Sequence, residues 1–88
     1  MTKSIHTDEM AHLLDWLKHH RKEQELTMLD LAIRMELKSH SYIQKIEQGE
    51  RRLDVVEYVW YCISLGIDPH TGIDLILQNL SADRSPHN

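Results

Sequence analysis

Apolar residues recur along the chain at helical spacing, interrupted where polar and turn-forming residues cluster. Met10, Leu13, Leu14 and Leu17 mark one face of a first helix. Thr7 stands as its cap, Asp8 and Glu9 fall at its positive end, and Lys18, Arg21 and Lys22 close its negative end. After the link Glu25-Leu26, Thr27 caps a second helix predicted over about 28–36. Asp30 is its weak capping-box partner, and Leu31, Ala32 and Met35 face inward. A turn over 36–38 leads to a third helix, about 40–48, capped by Ser39 and stopped by Gly49. Asp54 and Glu57 form a further capping pair. Beyond them Val56, Val59, Trp60 and Ile63 repeat at i, i+3, i+4, i+7 as the inner face of a fourth helix that ends at Gly66. Asp68-Pro69 opens a fifth, with Ile73, Ile76, Leu77 and Leu80 inward. The polar run 81–88 is predicted as a disordered tail. The pattern is all-α: five helices on short links, one domain over 1–80.

Composition narrows the class. With 88 residues there is room for one domain. A chain this short buries about 60–65% of its unfolded surface, so self-association would help it. Cys62 is the single cysteine, which excludes an internal disulfide and fits a reducing compartment. No basic-then-apolar leader opens the chain, and no apolar run approaches the roughly 18 residues of a membrane span. No glycine-rich phosphate loop, nucleophile–base pair or carboxylate dyad stands out, so neither an enzyme nor a cofactor is expected. His12, Asp15, His19 and His20 share the first helix but lack the tight i, i+4 pair of a zinc site, so no metal is expected.

Net charge is −4, from 10 Lys and Arg against 14 acids. Its distribution matters more. Residues 1–52 hold nine of the ten cations and nine acids, whereas 53–88 hold Arg84 against Asp54, Glu57, Asp68, Asp74 and Asp83. A polyanion responds to the face within about 8 Å, not to the total. A locally basic middle segment therefore remains compatible with nucleic acid.

The run LDLAIRM…SYIQKIEQGERRLDVVEY resembles the helix-turn-helix domain of Cro- and lambda-repressor-like (XRE-type) regulators, over about Leu14 to Pro69. Ile46-Glu47-Gln48-Gly49 followed by Arg51-Arg52 is its most specific part. The resemblance implies a five-helix lambda-repressor-like fold and a dimer whose third helix enters the major groove of a palindromic operator. It also implies an ion pair of Arg21 with Glu47. Three positions depart from it: Glu25 and Glu36 stand where glycine is common, and Met28 where glutamine is. The stretch from Ala32 to Glu47 is one residue longer than the common pattern. Placing the surplus residue in the turn lets Ser39 cap the third helix and should relieve Glu36 of a left-handed conformation.

On that helix His40, Ser41, Gln44 and Lys45 project to one side while Ile43 and Ile46 point inward. Gln can bracket adenine, and Lys or protonated His can donate to guanine. Tyr42 either packs or reaches a phosphate. Thr27 with the helix start, Lys38, Arg51 and Arg52 are candidates to grip the backbone. Val55, Tyr58, Val59, Cys62 and Leu75 lie at or off the edges of the apolar stripes and are predicted to join two copies, their reading helices about 34 Å apart. The expectation is a cytoplasmic, nucleoid-associated regulator of bacterial or phage origin, an autoregulatory repressor. The competing class is an antitoxin, or another module whose main ligand is a partner protein.

Overall fold

The computed structural model describes residues 8–84. It consists of α1 (Asp8–Glu23), α2 (Met28–Arg34), α3 (Ser41–Glu47), α4 (Val55–Leu65) and α5 (Pro69–Arg84), with no strand among the described residues. The expected cap Thr7 lies outside them. So does the end of the expected tail, 85–88, whereas 81–84 continue α5 as helix rather than disordered chain.

Local chemistry starts the helices. Thr27 Oγ1 accepts from Asp30 N–H at 3.0 Å while the Thr27 amide donates to Asp30 Oδ2 at 2.9 Å, a complete capping box. Asp54 and Glu57 repeat the arrangement at α4. The start of α3 differs from expectation by a residue. His40 occupies the cap position with no side-chain capping bond, and the hydroxyl that accepts from Ser41 N–H, at 3.3 Å, belongs to Ser39.

Four helices end alike. After α1, α2, α3 and α4 a residue with positive φ donates three residues back, and its successor donates five residues back. The left-handed residues are Glu25, Glu36, Gly49 and Gly66, at φ 59, 59, 74 and 72°. This is the Schellman termination, and Leu26, Leu37 and Ile67 supply the apolar residue that usually follows it. The longer turn therefore does not spare Glu36, which adopts the conformation it was expected to avoid. A left-handed L-residue costs about 1–2 kcal/mol, part of which a glycine would lose again as unfolded-state entropy. Glu36→Gly should therefore stabilise the domain by about 0.5–1 kcal/mol, a rise of roughly 3–6 °C in a thermal melt. A lower melting temperature would show that the Glu36 side chain contributes more than its backbone costs.

The core comprises Leu13, Leu14 and Leu17 of α1, Leu31, Ala32 and Met35, Ile43 and Ile46 of α3, and Tyr58, Tyr61, Cys62 and Leu65 of α4. Here the expected inner face of α4 is overturned. Tyr58, Tyr61, Cys62 and Leu65 have the same i, i+3, i+4, i+7 spacing as Val56, Val59, Trp60 and Ile63, and they are the buried set. Val56 is 73% exposed and Ile63 67%. On α5, Ile73 and Leu77 are likewise exposed, and half-buried Ile76 packs on the core; the Leu80 side chain lies outside the described ones. Gly72 is the buried residue there: a Cβ on it would lie 2.2 Å from Tyr58 Oη and 2.7 Å from the Trp16 ring, so α5 meets α1 across a missing side chain. Tyr58 Oη donates to Pro69 O, tying α4 to the start of α5.

Candidate nucleic-acid interface

Seven residues make α3 too short to hold itself in place, so its position depends on what grips its back. Ile43 and Ile46 are fully buried beneath it. Its last residue, Glu47, does the rest. Arg21 Nε and Nη2 donate to the two Glu47 oxygens at 2.7 and 2.9 Å, Arg21 Nη1 donates to Leu26 O at 2.7 Å, and Tyr61 Oη donates to Glu47 Oε2 at 2.9 Å. The carboxylate side chain is 2% exposed and the guanidinium side chain 7%. One carboxylate thus joins α1, α3 and α4. Arg21 is held above its ordinary pKa chiefly by its bond to Glu47.

Tyr61 was not among the residues expected to matter here. Burial first, then the charge of Glu47, raise its phenol far above the usual value. Because the folded state favours the neutral phenol, its stabilisation is complete below pH 10 and drains away as pH rises above it. The loss amounts to about 1.4 kcal/mol per pH unit. The domain should unfold cooperatively at alkaline pH, with tyrosinate absorbance and loss of helical circular dichroism rising together. Tyrosine ionisation complete before the helices melt would contradict this.

Two further ties went unpredicted. Gln24 Nε2 donates to Leu65 O at 2.6 Å, and Arg34 Nη1 donates to Ser64 O at 3.1 Å, fixing the ends of α1 and α2 to the end of α4. Their partners are backbone carbonyls, which no side-chain pattern announces.

On the outer side, His40, Ser41 and Lys45 are exposed and Gln44 is half-buried, with Lys38, Ser39, Arg51 and Arg52 exposed around them. Ser39 and Ser41 hydroxyls share a hydrogen bond at 2.8 Å. Lys38, Lys45 and Arg52 make no ion pair among the described residues, so their charge is available. Thr27 is exposed, but its amide and hydroxyl oxygen are engaged in the capping box with Asp30. Of the two alternatives for Tyr42 the structure shows packing: the ring lies half-buried against the core, and its hydroxyl is buried with no hydrogen-bond partner among the described residues, turned away from any phosphate. Burial and the charge of Glu57 push that phenol up to about 12.

Of the residues expected to join two copies, Tyr58 and Cys62 are buried in the chain's own core and are not available to a partner. Leu75 is half-buried, while Val55 and Val59 are exposed beside Val56, Trp60 and Ile63 on the outer face of α4. No helix is long and apolar enough to cross a membrane, and no group of three metal-ligating side chains gathers, among the described residues.

Two short helices joined by a tight turn, the second clamped by its buried back and by a carboxylate shared with the first and fourth helices, define a helix-turn-helix domain. Among solved structures the chain is similar to an XRE-family like protein from Pseudomonas syringae pv. tomato str. DC3000, with 34% identity and a TM-score of 0.76 over 84% of this chain and 89% of that one. The chain belongs to the XRE family. No family model and no curated protein matches it.

Proposed function

We propose that this chain is a sequence-specific DNA-binding transcriptional regulator, an autoregulatory repressor that reads an inverted-repeat operator as a homodimer. The observation that carries the reading is α3 itself. His40, Ser41, Gln44 and Lys45 face outward on a helix whose back and end are fixed by Ile43, Ile46 and the Arg21–Glu47–Tyr61 network. Donors and acceptors held rigidly on an exposed helix suit base edges in the major groove. Lys38, Lys45 and Arg52 flank them as phosphate contacts, which position without specifying. The exposed face of α4 supplies the surface for a second copy.

A gel shift with the DNA upstream of the chain's own coding region tests the reading at two salt concentrations. A band at nanomolar protein that weakens with salt is expected, with a slope of roughly −0.9 per phosphate contacted. No band, or one indifferent to salt, would reject it. The same α4 face could hold a different protein, as in an antitoxin. A chain that is monomeric alone and captures one partner would favour that reading.

A further inference from the structure

Arg51 lies beyond the end of α3, yet its guanidinium carbon sits 4.6 Å from the centre of the Tyr42 ring, in the first turn of that helix. The Arg51 side chain therefore reaches back to the first turn of α3, next to the residues His40 and Ser41. Arg51 Nη1 and Nη2 donate to the two Glu57 oxygens at 3.0 and 2.9 Å, and Nη1 also donates to Arg52 O at 3.0 Å. Glu57 is itself fixed, because its Oε1 accepts from Asp54 N–H at 3.1 Å in the α4 capping box.

Counting donors shows what is left. A guanidinium has five N–H groups in a planar fork. Among the described residues three are used, two from Nη1 and one from Nη2. The remaining Nε–H and second Nη2–H stand side by side on one edge, and the side chain is 41% exposed. Arg21 grips both oxygens of Glu47 through this same edge. It is the pair of parallel donors that matches two oxygens of a phosphate.

We propose that Glu57 and Tyr42 are positioning residues that hold Arg51 as a preformed two-pronged donor for a DNA phosphate beside α3, an inference that rests on the DNA-binding reading above. Glu57 fixes one edge of the guanidinium, the Tyr42 ring fixes its plane, and the free edge is presented to the duplex. The side chain then has little rotamer freedom left to lose on binding.

The sign of one substitution separates this from a loop staple. Removing an acid near a polyanion ordinarily tightens binding. If Glu57 acts by orienting Arg51, Glu57→Gln weakens it instead. The full chain is titrated with a random-sequence DNA duplex of about 30 base pairs at several salt concentrations, and each variant is checked by thermal melting. Expected for Glu57→Gln is a loss of roughly three- to tenfold, the scale of a charge-assisted contact losing its orientation. In an Arg51→Ala background the same change should produce no further loss. Arg51→Lys, which keeps the charge but not the fork, should fall to within about twofold of Arg51→Ala. This exposed substitution decides the matter if Glu57→Gln fails to fold. Tighter binding by Glu57→Gln, or wild-type affinity in Arg51→Lys, overturns the proposal and leaves DNA binding standing. A wild-type chain that does not bind the duplex at any salt concentration removes the DNA-binding reading, and this inference with it.

Discussion

Glu47→Ala is expected to lower the melting temperature by about 15–30 °C, because breaking a buried ion pair from one side costs about 3–5 kcal/mol and a domain of this size shifts several degrees per kcal/mol. The loss is concentrated because one side chain serves three donors. Its removal leaves Arg21 Nε and Nη2 and the Tyr61 hydroxyl without partners. Both donor side chains are buried. A small domain has about 5–15 kcal/mol of total stability, so this one change consumes a large share of it. Arg21→Ala should hurt as well, for the complementary reason that it strands the carboxylate. Replacing the three side chains together, as Arg21→Met, Glu47→Leu and Tyr61→Phe, should recover much of the loss, because an apolar set of similar volume leaves only the Leu26 carbonyl without its former donor. A Glu47→Ala chain melting within a few degrees of wild type would mean that α3 is held by Ile43 and Ile46 alone.

How much of this was legible in the sequence depends on whether a residue's partner is local. The capping boxes at Thr27 and Asp54 join residues three apart, so the pattern contains both halves. Gly49 and Gly66 mark left-handed ends for the same local reason. Glu25 and Glu36 adopt the same backbone without the residue that signals it; what imposes it is the pair of hydrogen bonds back into the helix. The long-range ties were less readable. The Arg21–Glu47 pairing was suggested by family resemblance and not by spacing, while Tyr61 and the Glu57 grip on Arg51 were missed. A hydroxyl on an apolar helix that must find an acceptor was the available signal for Tyr61. The inner face of α4 could not be chosen by periodicity at all. That helix is apolar nearly all round, and its two opposed sets of four have identical spacing. Tyr58 and Tyr61 settle the choice because each hydroxyl finds a partner inside, Pro69 O and Glu47.

The face left outside by that choice carries the second large prediction. Val55, Val56, Val59, Trp60 and Ile63 form an exposed apolar stripe on α4, the kind of patch that on a small soluble domain marks a contact surface. Ile63→Asp places a charge at a position that is 67% exposed in the single chain, so the fold itself should lose no more than about 0.5 kcal/mol. In a two-fold interface the same aspartate occurs twice, buried from water and near its own copy, and that is costly. Sedimentation should therefore report a dimer for wild type and a monomer for Ile63→Asp, with nearly equal melting behaviour at low concentration. Operator affinity should fall by about 10²–10⁴, because two half-sites once bound as a unit must then be bound separately. Trp60, on the same stripe, provides an internal check: its fluorescence should shift to the blue as wild-type protein is concentrated, and should not in the variant. An Ile63→Asp chain that still sediments as a dimer would move the interface elsewhere, to the exposed Ile73 and Leu77 of α5 or the Leu29 and Ile33 of α2. Wild type that stays monomeric while binding its operator would remove the second copy from the mechanism. If the outer face of α4 joins two copies, stability and dimerisation use opposite faces of one helix, so a mutation on each should separate folding from recognition.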